Sequence, residues 1–220
     1  MESYQMIWLS GDSWLDWRAL IKSNLRFDDT LEGLLQMEFK TLSFARGGTG
    51  NVRQLYLVNR YGTYDVKLPT YWIHAWTEVG RDTVYEKYNK NGIRDKAICI
   101  ATDIVNISNK LGCKSLVFGG QAPIPQEAHD ILGDRVLLSD WKAEILGTHN
   151  YGASQYFSSF VSDQDTNLPW HMKKDEDKLA QHQLAMLTAS NSFPDDAHPG
   201  ALEYRSLYNK VYKIMDKNEK

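Results

Sequence analysis

Two cysteines in 220 residues are too few for a disulfide framework, and the spacing of Cys99 and Cys113 matches no metal-ligand pattern. Both are expected as free thiols, buried as cysteines commonly are. Long apolar runs are missing too: no stretch comes near the roughly 20 apolar residues that span a bilayer, so no membrane partner is expected. The N-terminal MESYQMIWLS has no basic segment ahead of its apolar residues. A signal peptide is therefore not expected, and synthesis in the cytoplasm is. Positive charge is not in surplus, since 25 Lys and Arg against 28 Asp and Glu leave a net charge of −3. That balance holds no attraction for a polyanion, and no nucleic-acid partner is expected. No Walker A sequence occurs, and "GGTGNVR" has Arg53 where the last glycine of G-x-G-x-x-G belongs, which argues against a dinucleotide site. There are no internal repeats, and neither a cofactor nor a metal is expected.

What is present is a globular composition, 42% apolar and 24% charged, with a surplus of aromatics that includes seven Trp and twelve Tyr. The length suits one domain, residues 1–220. Short apolar runs read as strands at Met6–Ser10, Met37–Ala45, Thr70–Thr77, Lys114–Gly120 and Arg135–Asp140. Between them, helical spacing runs over Trp14–Ser23, with Trp14, Trp17, Leu20 and Ile21 on one face. Asn51–Arg60 follows with Val52, Leu55, Tyr56 and Asn59, and then Ile93–Cys113 with Ile93, Ala97, Ile100, Ile104 and Ile107. Gly112 stands where that longest helix should stop. A last amphipathic helix covers Ala201–Met215, with Leu207, Val211, Ile214 and Met215 as its buried face. Strands alternating with helices predict a mostly parallel sheet covered on both faces. Functional loops in such sheets lie beyond the carboxyl ends of the strands. "GDS" after the first strand, "RGGTGN" after the second and "TEVGR" after the third all fall there.

The pattern lapses between about residues 141 and 177. This polar stretch carries Tyr151, Tyr156, Phe157, Phe160 and Trp170. A loop so long within a compact domain commonly has a function. Its aromatics suit a wall or lid over a site and equally a secondary core. A helix is expected to resume over about 175–190.

Ser13, in "LSGDSWLDW", carries two readings. With Asp16 three residues on, it forms a capping box ahead of an apolar helical face. At the end of a strand, it is also placed as a nucleophile. Near the other end, "DDAHPG" combines His198 with Asp195 and Asp196 just before the last helix. On its own this block reads equally as a capped helix start with Pro199 in its first turn. Taken together, "GDSW" and "DDAHPG" resemble the SGNH, or GDSL, hydrolases in order and spacing. The resemblance implies a flavodoxin-like three-layer α/β/α sandwich with strand order 2-1-3-4-5. It also implies a Ser–His–Asp triad of Ser13, His198 and Asp195, with Asp196 as the alternative acid. A serine hydroxyl attacks an ester only when a base takes its proton, and an acid on the far ring nitrogen holds that base in the required tautomer.

Acyl transfer further needs donors aimed at the developing oxyanion. The resemblance implies three: the Ser13 N–H, a glycine after the second strand and an asparagine after the third. Gly48 is the glycine expected, with Gly47 and Gly50 as alternatives and Asn51 beside them. The third block departs from the pattern, because G-x-N-D is absent and "WTEVGRD" stands in its place. Thr77 and Arg81 are the candidate donors there, and Arg81 is equally placed for a surface ion pair with Asp82 or Glu78. This T-x-x-x-R segment resembles phage-type members of the superfamily, which implies virion association as an alternative location. The expected activity is hydrolysis of small acyl esters, with O-acetyl groups on a carbohydrate as the candidate substrate. The altered third block supports the rival, a catalytically silent binding or structural module of the same fold.

Overall fold

The computed structural model describes residues 5–21, 25–77, 79, 92–146 and 199–216. Five strands form one sheet: β1 (Met6–Ser10), β2 (Lys40–Ser43), β3 (Tyr71–Trp76), β4 (Lys114–Gly119) and β5 (Val136–Leu138). Their order is β2-β1-β3-β4-β5, and every pairing is parallel. The segments that pair are rich in β-branched and aromatic residues, which suit a pleated surface buried on both sides.

Alternation along the strands divides the core in two. Ile7, Leu9, Tyr71, Ile73, Ala75, Leu116 and Phe118 face one layer of helices. That layer comprises α1 (Trp17–Ile21), α2 (Leu31–Gln36), α6 (Trp141–Leu146) and α7 (Ala201–Asp216). Trp8, Trp72, Trp76 and Val117 face the other layer, made of α3 (Asn51–Tyr61), α4 (Ile93–Leu111) and α5 (Gln126–Leu132). The result is the three-layer α/β/α sandwich expected from the alternation.

Several elements depart from the sequence expectation. The first helix begins at Trp17 rather than Trp14, because residues 12–15 form a turn in which the Asp12 carbonyl accepts from the Leu15 and Asp16 amides. β2 is shorter than Met37–Ala45, and Met37 is 67% exposed. α2 was not expected: Thr30 caps it, its side chain accepting from the Gly33 amide. On α3 the buried residues are Asn51, Val52, Gln54, Leu55 and Val58, whereas Tyr56 lies exposed. The polar pair Asn51 and Gln54 hid that face from a search for apolar periodicity. The irregular stretch expected from Trp141 opens instead with α6, whose Trp141 is buried against Trp14, Phe118 and Tyr204. On α7, Tyr204 joins Leu207, Val211 and Met215 in the core, and Ile214 is only partly buried. Cys99 and Cys113 are free thiols, half-buried rather than buried. No helix among the described residues is long and apolar enough to cross a membrane.

Candidate active site

The carboxyl ends of β1, β2, β3 and β4 meet on one edge of the sheet. Ser13 is half-buried in the turn that follows β1. It is not the cap of α1: Asp16 takes that part, accepting from the Arg18 amide at 3.2 Å. Asp12 is fully buried and fastens the turn, its Oδ1 accepting from the Trp14 amide at 3.0 Å. The capping box thus gives way to two aspartates on either side of Ser13, which leaves the serine hydroxyl out of the helix start.

Gly11 shapes the approach to this turn. Its φ is +158°, and a Cβ there would lie 2.7 Å from the Ala75 Cβ and 3.3 Å from Leu15 Cδ1. Only a residue without a side chain lets β1 leave the sheet so close to β3.

The second loop is fastened to the first. The Arg46 amide donates to the Gly11 carbonyl at 3.0 Å. The Gly47 amide donates to Asp16 Oδ2, also at 3.0 Å, so Gly47 is committed to the Ser13 turn. Gly48 has φ +74° with open space around it, a left-handed conformation that favours glycine. Neither the Gly48 nor the Ser13 amide has a hydrogen-bond partner among the described residues. Two backbone donors are thereby left over on the edge that carries the serine hydroxyl. Gly50 precedes α3 as its cap residue.

Asn51 is buried, and its side chain is committed elsewhere. Nδ2 donates to the Thr77 carbonyl at 2.8 Å, and Oδ1 accepts from the Thr77 amide at 3.0 Å. This amide-to-backbone clamp fixes the exit of β3 against the start of α3. Thr77 is also fully buried, and its hydroxyl has no partner among the described residues. Arg81, Asp195, Asp196 and His198 lie outside the described residues, as do the aromatic stretch with Tyr151, Tyr156, Phe157, Phe160 and Trp170 and the helix expected over 175–190.

His74, inside β3, is fully buried at the centre of a polar relay. Trp72 Nε1 donates to Ser10 Oγ at 2.7 Å. His74 Nδ1 lies 2.8 Å from Ser10 Oγ, and Nε2 lies 3.2 Å from Asn51 Oδ1. The Thr77 amide holds Asn51 Oδ1 as an acceptor, so a ring proton sits on Nε2. Nδ1 accepts from the Ser10 hydroxyl, and the directions run from Trp72 through Ser10 and His74 to Asn51, when the ring is neutral. Burial holds it so, lowering its pKa to about 3.

This sets a pH dependence of stability. Between about pH 6.5, where an unfolded histidine titrates, and pH 3, the unfolded chain binds a proton that the folded one does not. The contribution of His74 is fully present above that window and is lost as pH falls through it. The expected slope is about 1.4 kcal/mol per pH unit. Denaturant unfolding of wild type and His74→Gln from pH 7 to pH 4 measures it as the difference between the two stability curves. A flat difference would mean that His74 is already charged in the fold.

A further residue reaches Ser13 from the end of β4. Gln121 Nε2 donates to Ser13 Oγ at 3.4 Å. Its position after "LVFGG" at a strand end was the only sequence signal for it, and many loop residues share that signal.

With this geometry in hand, comparison with known proteins locates the fold. No family model matches the sequence, and no curated protein sequence does. Solved structures do match over nearly the whole chain. A candidate acylhydrolase from Bacteroides fragilis is 11% identical with a TM-score of 0.50, the match covering 100% of this chain and 90% of that one. The psychrotrophic esterase EstA from a Pseudoalteromonas species is also 11% identical, with a TM-score of 0.49 and 97% of both chains covered. The acetyl xylan esterase AlAXEase is 14% identical with a TM-score of 0.47, covering 95% of this chain and 98% of its own. The chain shares the fold of the Bacteroides acylhydrolase, and its strand order is the one the SGNH resemblance implied. At these identities the likeness establishes the architecture, and the chemistry has to be argued from the site.

Proposed function

We propose that the protein is a serine ester hydrolase acting on small acyl esters. Ser13 is the nucleophile, His198 the general base, and Asp195 the acid that orients it. In this reading Ser13 Oγ bonds to the acyl carbon as its proton passes to His198, and the carbonyl electron pair moves onto oxygen. When the pair returns, the ester C–O bond breaks and His198 gives the proton to the departing alcohol. Water, deprotonated by the same histidine, then releases the acid and frees Ser13. The Ser13 and Gly48 amides are the backbone donors for the oxyanion, and Thr77 and Arg81 are candidates for further contacts.

One observation carries the reading: the Ser13 turn is tied on one side to the glycine turn of the oxyanion donors and on the other to the last helix. On one side Asp16 holds the glycine turn through Gly47. On the other, the buried Tyr204 hydroxyl of α7 donates to the Trp14 carbonyl at 2.6 Å, one residue after Ser13. Pro199 and Gly200, both buried, lie immediately before that helix. O-acetyl groups on a carbohydrate remain the candidate substrate, a choice that rests on the family resemblance and on the aromatic composition of residues 141–177.

The test is covalent. Wild-type protein treated with a fluorophosphonate should be labelled on the peptide that contains Ser13, and it should hydrolyse p-nitrophenyl acetate. A folded protein that does neither would be the silent module, the reading favoured by the commitment of Asn51 to Thr77 and the missing G-x-N-D block.

A further inference from the structure

We propose that Gln121 is a further catalytic residue, its side-chain amide donating to the oxygen on which negative charge develops when Ser13 attacks. The proposal rests on the serine-hydrolase reading and adds a donor that the sequence pattern does not supply.

The sheet order makes the contact unexpected. Ser13 leaves β1 and Gln121 leaves β4, with β3 between them. The two loops must close over the end of β3 for their side chains to meet. Small residues allow this. Ala75 lies beneath, with Gly11 packed on it from the β1 side. Gly120 approaches from the β4 side: a Cβ there would stand 3.4 Å from the Ala75 Cβ and 3.0 Å from the Trp76 carbonyl oxygen. The Gly120 amide donates to that same carbonyl at 3.0 Å, which fixes the register of the loop one residue before Gln121. Gln121 is thus delivered across β3 by backbone packing.

Its chemistry is that of a donor. A carboxamide nitrogen carries no proton acceptor at neutral pH, so Nε2 cannot serve Ser13 as a base. On attack, the oxyanion forms on the carbon to which Ser13 Oγ has just bonded, so a donor lodged beside Oγ has only to tilt to reach it. The resting distance of 3.4 Å is long for a hydrogen bond, as catalytic contacts often are before substrate binds. At the other end of the amide, the Gln121 Oε1 is buried without a partner among the described residues, so no bond there holds the group back. Competing side chains are less well placed. The Asn51 carboxamide is clamped on Thr77 at both ends. The Thr77 hydroxyl has no contact with Ser13 among those the structure records.

Charge and atoms balance without proton transfer to or from Gln121. The new Oγ–C bond forms, the carbonyl π pair becomes a lone pair on oxygen, and the serine proton leaves to the general base. Gln121 stabilises the oxyanion and is unchanged when the pair returns and the alcohol is expelled.

Kinetics of Gln121→Ala and Gln121→Glu on p-nitrophenyl acetate test the proposal, with melting temperatures confirming the fold. Loss of one such donor is expected to lower kcat about 100- to 1,000-fold with little change in KM. The glutamate, equal in size, should be no better than alanine, because its carboxylate faces the oxyanion. If the alanine variant fails to fold, the glutamate variant decides. A folded variant that keeps kcat within about threefold of wild type, or that loses only KM, overturns the proposal. Wild type that neither labels nor hydrolyses overturns the parent reading instead, whereas active wild type with unaffected variants overturns this one alone.

Discussion

Ser13→Ala is expected to lower hydrolysis of p-nitrophenyl acetate by about 10⁴-fold or more and to abolish fluorophosphonate labelling, while leaving the fold intact. The two halves of that expectation have separate grounds. Activity falls because no other group replaces the attacking oxygen, and what survives is catalysis by binding and by oxyanion donors alone. At about 1.4 kcal/mol per tenfold, a loss of that size exceeds any single positioning effect proposed for the site. Stability is spared because the Ser13 side chain is half-buried and, among the described residues, makes only the long contact with Gln121. The turn itself is held by Asp12 and Asp16, which the substitution leaves in place. Steady-state rates, mass spectrometry of the labelled peptide and a thermal melt decide the matter. A variant that turns over like wild type would remove Ser13 from the mechanism, and one that melts far below wild type would show the serine to be structural.

Asn51→Leu is expected to be the most damaging single change to the fold near the site. Leucine matches asparagine in size but pairs with nothing. Three groups lose their partners in a buried place: the Thr77 amide, the Thr77 carbonyl and His74 Nε2. Each orphaned group costs about 1–3 kcal/mol, so the sum is at least about 3 kcal/mol. For a domain of this length that lowers the melting temperature by roughly 6–12 °C or more. The damage should travel along the relay, since His74 without its acceptor loosens Ser10 and Trp72 in turn. Denaturant unfolding at pH 7 measures the loss, and a change below about 1 kcal/mol would mean that water replaces the asparagine.

Asn51 and Gln121 also mark where the sequence was legible and where it was not. The strands around Trp8, Ile73 and Val117 announced themselves because burial on both faces demands unbroken apolar and β-branched runs. The α4 stripe of Ala97, Ile100 and Ile104 was as plain, and all three are fully buried. Gly48 was chosen from three glycines through the resemblance alone, and its left-handed φ of +74° had no sequence signal of its own. Asn51 was noticed only for its place beside the glycines, and its clamp on Thr77 depends on a strand 26 positions away. His74 falls within the expected third strand, and its environment is set by Ser10, 64 residues earlier. Gln121 meets Ser13 across 108 residues, and no local pattern encodes a meeting of that kind. Helices α2 and α5 escaped because six and seven residues are too few to establish a period. The start of α1 was misplaced because Ser13 satisfied a cap rule that Asp16 satisfied as well.

The bond from Tyr204 to Trp14 spans 190 residues, and this bears on the order of events during synthesis. The turn with Ser13 leaves the ribosome before α7, whose Tyr204 follows Trp14 by 190 residues. Until α7 docks, Trp14 and Trp141 lack the ring of Tyr204 that packs on this cluster. The Ser13 turn therefore lacks this fastening while the intervening residues are made, and gains it only when α7 docks. Contacts of such long separation make for slow folding. A nascent chain cut short before Ala201 would carry the serine without the helix that braces it.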